Sequence, residues 1–285
     1  MNSKLTSIIT VTHNRPKSLA ACLALTRKVV PDDVNIIVFD DASDRKETIH
    51  EIIGQFSNTT YLRSEIRIGP AGGRNRCLTE ATTPFCLSLD DDCYLHVIPS
   101  LTRWEDNIAK DHDIAVVGFR CFDTIPPGRY SPSFTDERPI SSFHGGASLL
   151  RRDSVLKCGG YLDWLVFGGE DTELAMRLLR LGYRVWYDPS VLVHHDHSME
   201  GRDEALGSFL YVRNTLVIHA LHRGGFYGLL IGFVKALRRG LFATDVPSKT
   251  LSGLLAGFAL TWQQRHRTQE MFSYSRSYAA NKRCD

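Results

Sequence analysis

Phe85-Cys86-Leu87-Ser88-Leu89-Asp90-Asp91-Asp92 is the stretch that decides the reading. Phe85–Leu89 is a short, mostly apolar run, which reads as a strand buried on both faces. Three carboxylates follow without a break. Adjacent carboxylates repel, so such a run is costly unless a cation compensates. A hard divalent cation, Mg2+ or Mn2+, suits oxygen ligands and is commonly shared with substrate phosphates. The plain alternative is an acidic turn open to water. Placement directly after a buried strand favours the ion.

The same pattern recurs upstream. Leu5–Val11 is an apolar, β-branched run that ends in Thr12-His13-Asn14, and Val34–Phe39 ends in Asp40-Asp41. Thr59–Leu62 and Ile114–Phe119 read as further strands. Lys17–Lys28, Lys46–Phe56, Pro70–Ala81 and Pro99–Lys110 read as helices, with Pro16 at a first helical turn. Alternating strands and helices predict an α/β fold with a mostly parallel sheet covered on both faces. In such sheets ligands bind beyond the carboxyl ends of the strands. Any one of the polar clusters would serve as a helix N-cap. Three of them at neighbouring strand ends point instead to one site.

Downstream, Arg120–Ser142 carries Pro126, Pro127, Pro132 and Pro139 and reads as a long loop over a site. Ala147–Arg151 follows as a strand, then a helix over Glu170–Leu181 closed by Gly182. Arg184–Tyr187 and Val191–His194 read as short strands. From Asp203 onward the pattern is helical.

Three further stretches carry chemistry. Gly69-Pro70-Ala71-Gly72-Gly73-Arg74-Asn75 opens a helix but is neither a dinucleotide nor a P-loop fingerprint. Its glycines suit close backbone approach to a ligand, and Arg74 is expected to pair with Asp41 or to lie on the surface. In Gly168-Gly169-Glu170-Asp171-Thr172-Glu173, two carboxylates sit at a helix N-terminus. The helix dipole alone favours that. A general base held rigidly by the helix start is the functional reading, with Trp164 and Phe167 as an apolar wall. Val193-His194-His195-Asp196-His197 offers three imidazoles, and at least one is expected to be a metal ligand.

Composition sets the class. The chain has 285 residues, 43% hydrophobic and 23% charged, which suits a folded globular protein and excludes a disordered chain or a disulfide-stapled miniprotein. The net charge of +2 gives no field for nucleic acid. It is divided unevenly. Residues 1–198 hold 22 Lys and Arg against 26 Asp and Glu, whereas residues 199–285 hold 12 against 6. Seven scattered cysteines without a CxxC pair read as free thiols in a reducing cytoplasm. No signal-peptide core precedes the first strand. Gly224–Val234 and Thr250–Gln264, the longest uncharged stretches near the C-terminus, fall short of the ~20 residues that span a bilayer. Phe226–Phe242 mixes large apolar residues with Lys235, Arg238 and Arg239. It reads either as a membrane-surface helix or as a core helix with a basic edge.

In order, Ile-Ile-Thr-Val-Thr-His-Asn-Arg, Val-Phe-Asp-Asp-Ala-Ser-Asp, Gly-Gly-Arg-Asn, Leu-Asp-Asp-Asp and Gly-Gly-Glu-Asp-Thr-Glu-Leu-Ala-Met-Arg resemble family 2 glycosyltransferases of the GT-A fold, from about Thr6 to His197. The resemblance implies a GT-A catalytic domain over 1–198 with a nucleotide-binding half at about 1–120 and an acceptor half at about 140–198. A helical region over 199–285 follows. It also implies that Thr12, Asn14, Asp41, Arg74, Asp90 and Asp91 bind the nucleotide-sugar, with Arg74 supporting the Asp41 carboxylate. Asp90 and Asp92 match a DxD motif and, with His195 or His194, would hold Mn2+ or Mg2+. His195 is preferred for its distance from Pro189. Asp91 is an alternative metal ligand.

Asp171 matches the catalytic base. His144, Gly145, Gly146, Trp164 and Glu170 fall on the acceptor side. The implied reaction is inverting transfer of a sugar from a UDP- or dTDP-sugar to a glycan or lipid-linked acceptor. It would serve polysaccharide biosynthesis of the cell envelope, in a cytoplasmic protein peripheral to the inner face of the membrane. Self-association is also carried as an expectation. The rival readings are a metal-dependent nucleotidyltransferase, for which Thr12–Pro16 lacks the glycines, and an inactive sugar-nucleotide-binding paralogue.

Overall fold

The computed structural model describes residues 1–97, 101–123, 134–196, 200–201, 203–242 and 246–281, with side chains to residue 266. The centre is one sheet in the order β3-β2-β1-β4-β8-β6-β9-β5, with β7 beside β9. The strands are β1 (Thr6–Thr12), β2 (Ile36–Asp41), β3 (Thr59–Ser64), β4 (Phe85–Leu89), β5 (Cys93–Val97), β6 (Ile114–Asp123), β7 (Arg138–Pro139), β8 (Ala147–Arg151) and β9 (Arg184–His195). β1 to β4, β6 and β9 run one way, and β5, β7 and β8 run the other. The sheet is therefore mostly parallel, and β2 and β4 are buried throughout.

Two apolar layers cover it. On one face α1 (Pro16–Arg27), α2 (Lys46–Ile53) and α4 (Leu101–Lys110) bring Leu19, Leu23, Ile49, Trp104 and Ile108 onto the strands. On the other, α3 (Gly69–Glu80), α5 (Arg152–Lys157) and α6 (Glu170–Arg180) bring Leu78, Val155, Leu174 and Leu178. Gly73 lets α3 lie close: a Cβ there would stand 2.8 Å from Val11 and 2.9 Å from Phe39.

Register decides where the polar ends meet. Thr12 pairs with Asp40 and Ile9 with Ser88, so β1, β2 and β4 present their carboxyl ends at one edge. β8 runs back with Ala147 opposite Leu89, which delivers Gly145 and Gly146 to the same edge.

Three expectations are corrected. Arg120–Asp123 is not loop but the end of β6, paired with Leu192–His195; residues 124–133 of the expected loop lie outside the described residues. Arg184–Tyr187 and Val191–His194 are one strand, β9, because Asp188 still pairs with Phe119 and one irregularity in the register, between Phe119 and Arg120, absorbs Pro189-Ser190-Val191. β5 was hidden because no turn residue separates it from Asp92. It pairs antiparallel with β9, Cys93 opposite His195, and so carries the end of β9 beside the aspartates.

α7 (Glu204–Arg223) is N-capped by Asp203, whose side chain accepts from the Leu206 amide at 2.9 Å. α8 (Gly225–Phe242) and α9 (Thr250–Asn281) pack on it around Val212, Leu216, Ala236 and Leu254. Among the described residues, no helix is long and apolar enough to cross a membrane.

Candidate active site

The tight turn after β4 holds Asp90, Asp91 and Asp92, with the Cys93 amide donating to the Asp90 carbonyl at 2.9 Å. Two arginines divide these carboxylates. Arg15, at the start of α1, bonds Asp91 with one nitrogen and Asp92 with the other. Thr12 donates to Asp91 Oδ2 at 2.8 Å. Arg74, buried in α3, donates to Asp90 Oδ1 at 2.6 Å and to Glu170 Oε1 at 3.2 Å, and lies 3.5 Å from Asp171 Oδ1. Its guanidinium also sits over the Tyr161 ring, 5.6 Å from the centroid. One cation thus faces three carboxylates from two segments, which leaves an excess of negative charge at the edge of the sheet.

The expected Arg74–Asp41 pair does not form. Asp41 instead accepts the Ile68 and Gly69 amides at 2.7 and 2.9 Å, where α3 begins. The free amides at a helix N-terminus attract a carboxylate, and this takes both Asp41 oxygens. Asp40 is likewise occupied, by Arg63, by the Tyr61 hydroxyl at 2.9 Å and by the Ser43 amide at 2.9 Å. Asn14 has a left-handed backbone, φ +55°, and is locked to Asp44: Nδ2 donates to Oδ2 at 3.0 Å and Oδ1 accepts from the amide at 2.8 Å. A cavity of about 220 Å³ opens between Asn14, Ser43, Asp44 and Ile49.

Gly145 and Gly146 are seated against the carboxylates. The Gly145 amide donates to Asp171 Oδ2 at 2.9 Å. A Cβ on Gly145 would stand 2.4 Å from Asp171 Oδ1, and one on Gly146 2.5 Å from the Asp90 carboxyl. Only glycine fits at either position while these side chains stay where they are. Asp171 keeps 21% of its side chain open, whereas Glu170, expected on the acceptor side, keeps 6% and is drawn into the Arg74 pair. Burial, then the charge of Asp171, pushes Glu170 up to about 7. Burial also raises Asp171, against the pull of Arg74.

The loop before these residues is strained. Val166 has φ +64° and ψ −69°, rare for a β-branched side chain, and the Phe167 amide closes the turn onto the Leu165 carbonyl at 2.8 Å. Asn214 on α7 holds it. Its Nδ2 donates to the carbonyls of Leu165, Phe167 and Gly168 at 2.9, 2.9 and 2.8 Å, and its Oδ1 accepts from Arg213 at 2.8 Å. Deeper in, His222 of α7 lies 3.0 Å from Glu173, which Arg177 also binds at 2.6 Å. Trp164 is half-buried against the Leu162, Leu165 and Ile218 cluster, and exposed Phe167 meets Tyr211 edge-on at 5.3 Å.

His195 lies with Nε2 3.3 Å from Asp92 Oδ1, while His194 bonds the Tyr94 hydroxyl. The half-buried His144 ring sits 5.7 Å from that of His195. Burial opposes the charge on both His195 and Asp92, yet their pairing lifts His195 to about 9 and, together with Arg15, holds Asp92 below its usual range. Asp90, Asp92 and Cys93 offer ligand atoms within 4.8 Å of one another, as do Cys93, Cys121 and His195. Burial holds the Cys93 thiol far above its usual pKa, and a metal needs the thiolate. The donors left are the carboxylate oxygens of Asp90 and Asp92, with the His195 imidazole beside Asp92, chemistry suited to Mn2+ or Mg2+.

Sequence reasoning missed Arg15, Tyr161, Asn214 and the Glu173–Arg177–His222 cluster. Arg15 stood in plain view beside Asn14. A signal for Asn214 also existed: a poor helix former inside an apolar helical run wants a buried partner.

Comparison with known proteins finds glycosyltransferases. Pre-mycofactocin glycosyltransferase of Mycobacterium tuberculosis is 28% identical over 188 residues, covering 60% of this chain and 39% of that protein. The chain thus spans about two fifths of the length of this curated relative. Among solved structures, GalNAc-T7 with UDP, GalNAc and Mn2+ superposes with TM-score 0.60 at 17% identity, covering 88% of this chain and 56% of that one. S. aureus TarS 1-349 in complex with UDP-GlcNAc gives TM-score 0.60 at 15% identity, covering 97% and 88%. These likenesses show the GT-A fold. The family model of glycosyl transferase family 2 matches residues 7–159, which is more than half of the chain and carries β1, the aspartate turn and Gly145-Gly146, and the chain belongs to that family.

Proposed function

We propose that the chain transfers a sugar, with inversion, from a nucleotide-sugar to a hydroxyl of a glycan or lipid-linked acceptor, and that Asp171 is the general base. One observation carries this reading. Asp171 is held by the Gly145 amide at 2.9 Å, is partly open to the cleft, and has its basicity raised by burial. A base so held can take the acceptor proton as the oxygen attacks the anomeric carbon. Glu170 balances Arg74 behind it, and Arg74 in turn faces both Asp90 and Asp171. Thr12 and Arg15 fix Asp91 and Asp92 on the donor side, and Asn14 borders the base end of the donor. A divalent ion would be held by Asp90, Asp92 and His195 and would neutralise charge on the leaving diphosphate. A UDP- or dTDP-sugar is the favoured donor.

On this reading residues 1–198 form the catalytic body, with the nucleotide half at about 1–120 and the acceptor half at about 140–198. The helices of 199–285 brace it. The test pairs product analysis with Asp171→Asn. Release of nucleoside diphosphate and an inverted product anomer, seen by NMR, are expected. The variant should keep donor binding and lose ~10²–10⁴-fold in transfer rate. Pyrophosphate as product, or near-normal transfer by the variant, rejects the proposal.

A further inference from the structure

α8 is built inside out for a helix in water. The face it buries is a stripe of small residues at every fourth position: Gly228, Gly232, Ala236 and Gly240. These let it press on α7 and on the start of α9. A Cβ would stand 2.8 Å from the Ala220 carbonyl at Gly228, 2.6 Å from the Leu216 carbonyl at Gly232 and 2.4 Å from Thr250 at Gly240. The face it exposes is the bulky one, with Phe226 81%, Leu230 48% and Val234 54% open to solvent.

α9 repeats the arrangement. Gly253 and Gly257 meet α7, while Leu251, Leu255, Phe258 and Trp262, a stripe at helical spacing, are exposed. The two outer faces adjoin, with the Phe233 and Phe258 rings 6.2 Å apart. A helix in water buries its large apolar side chains and shows small or polar ones. Small residues against protein and large ones outward is the order found where the surroundings are lipid.

Charge selects the occupant. Between Glu204 and Glu270 the sequence holds eight Lys and Arg and a single carboxylate, Asp245. Lys235 and Arg238 are exposed on the outer side of α8. A second copy of this chain laid face to face would bring like charges together with almost no carboxylate to answer them. An anionic surface answers all of them. Since no described helix is long and apolar enough to cross a bilayer, the contact is with the interface and not through it.

We propose that the outer faces of α8 and of α9 up to Trp262 dock the protein on the surface of an anionic lipid bilayer. This does not depend on the sugar-transfer reading. It extends the membrane-surface expectation for 226–242 to a second helix. Large apolar side chains enter the interface and Lys235 and Arg238 meet headgroup phosphates.

The experiment is flotation of the full chain with vesicles of phosphatidylcholine, alone and with phosphatidylglycerol added. Stronger flotation with the anionic vesicles is expected, weakening as salt rises. Lys235→Gln with Arg238→Gln should cost about fivefold in partitioning per charge, confined to the anionic vesicles. Leu230→Ser with Val234→Ser and Trp262→Ser should abolish flotation on both. These side chains are exposed, so circular dichroism should show an unchanged fold. Wild-type protein that does not float with anionic vesicles overturns the proposal. So does flotation of the apolar variant at the wild-type level. A wild-type dimer that this variant turns into monomers, without flotation, assigns the face to a second copy and overturns it equally.

Discussion

Gly145→Ala tests the geometry of Asp171, the proposed base, without altering that side chain. The backbone at Gly145 is not left-handed, so alanine meets no conformational penalty there. The whole effect comes from space. The new methyl would stand 2.4 Å from Asp171 Oδ1 and 2.8 Å from the Arg74 guanidinium carbon. An ordinary contact is ~3.5 Å, so the carboxylate must retreat by about 1 Å. Arg74 is itself held, by Asp90 at 2.6 Å and Glu170 at 3.2 Å, so it has little room to yield. A misplacement of this size costs ~10²-fold in rate, or about 3 kcal/mol in the barrier.

Steady-state transfer kinetics and donor titration separate the causes. A fall of about 10²-fold in kcat with an unchanged donor Kd is expected. Gly146→Ala supplies the contrast. Its methyl would stand 2.5 Å from the Asp90 carboxyl, so it should weaken donor and metal binding first. A Gly145→Ala enzyme with kcat within about threefold of wild type refutes the placement of the reacting oxygen beside Asp171.

Three other outcomes follow from the same structure. Asn214→Ala removes the side-chain donor that three carbonyls of the strained Val166 turn share; Leu165 keeps the Phe167 amide and Arg213, and the carbonyls of Phe167 and Gly168 lose this bond at about 1–3 kcal/mol each. Chemical denaturation should show a loss of about 2–4 kcal/mol, and kcat should fall at temperatures where the variant is folded; an unchanged midpoint and kcat would remove the positioning role. Chelator should abolish turnover, and His195→Ala should raise the Mn2+ concentration needed to restore it; full turnover in chelator sinks the Asp90–Asp92–His195 assignment. Burial, then Lys235 and Arg223, lowers His219 to about 4. The unfolded chain takes up this proton near pH 6.5, so stability is intact above that value and falls as pH drops toward 4. Thermal melts of His219→Gln should show a shallower fall across that window, and identical slopes would contradict it.

The strand ends were legible because burial and chemistry alternate along the chain. A run such as Phe85–Leu89 holds a single small hydroxyl, at Ser88, and no charge until Asp90 arrives, so the strand and the site announce each other. Arg74 was legible as a residue but not as a partner. The family resemblance assigns it to Asp41, but the amides at the start of α3 take that carboxylate, a contact that leaves no mark in side-chain identity. β5 and the continuous β9 were hidden for a related reason. They depend on pairing between residues about 100 positions apart, such as Tyr94 with His194, and no local period encodes that. Val166 could not be foreseen at all, since its backbone is held by donors that arrive from α7.

The contacts of α7 give the charge division a different meaning. An acidic body and a basic helical tail suggest an appendage, but α7 is bonded into the body at two levels. Asn214 holds the turn that leads into Asp171, and His222 reaches Glu173 inside α6. The segment that carries Asp171 is therefore fixed on one side by Arg74 and Gly145 and on the other by a helix beyond residue 199. α8 and α9 attach to the far side of that helix through glycines, at backbone contact distance. Such contacts leave little slack. A force on the outer faces of α8 and α9 would be delivered to α7, and through Asn214 to the strained Val166 turn. If those faces rest on lipid, the orientation of the cleft toward a membrane-borne acceptor is set by the same helix that positions the base.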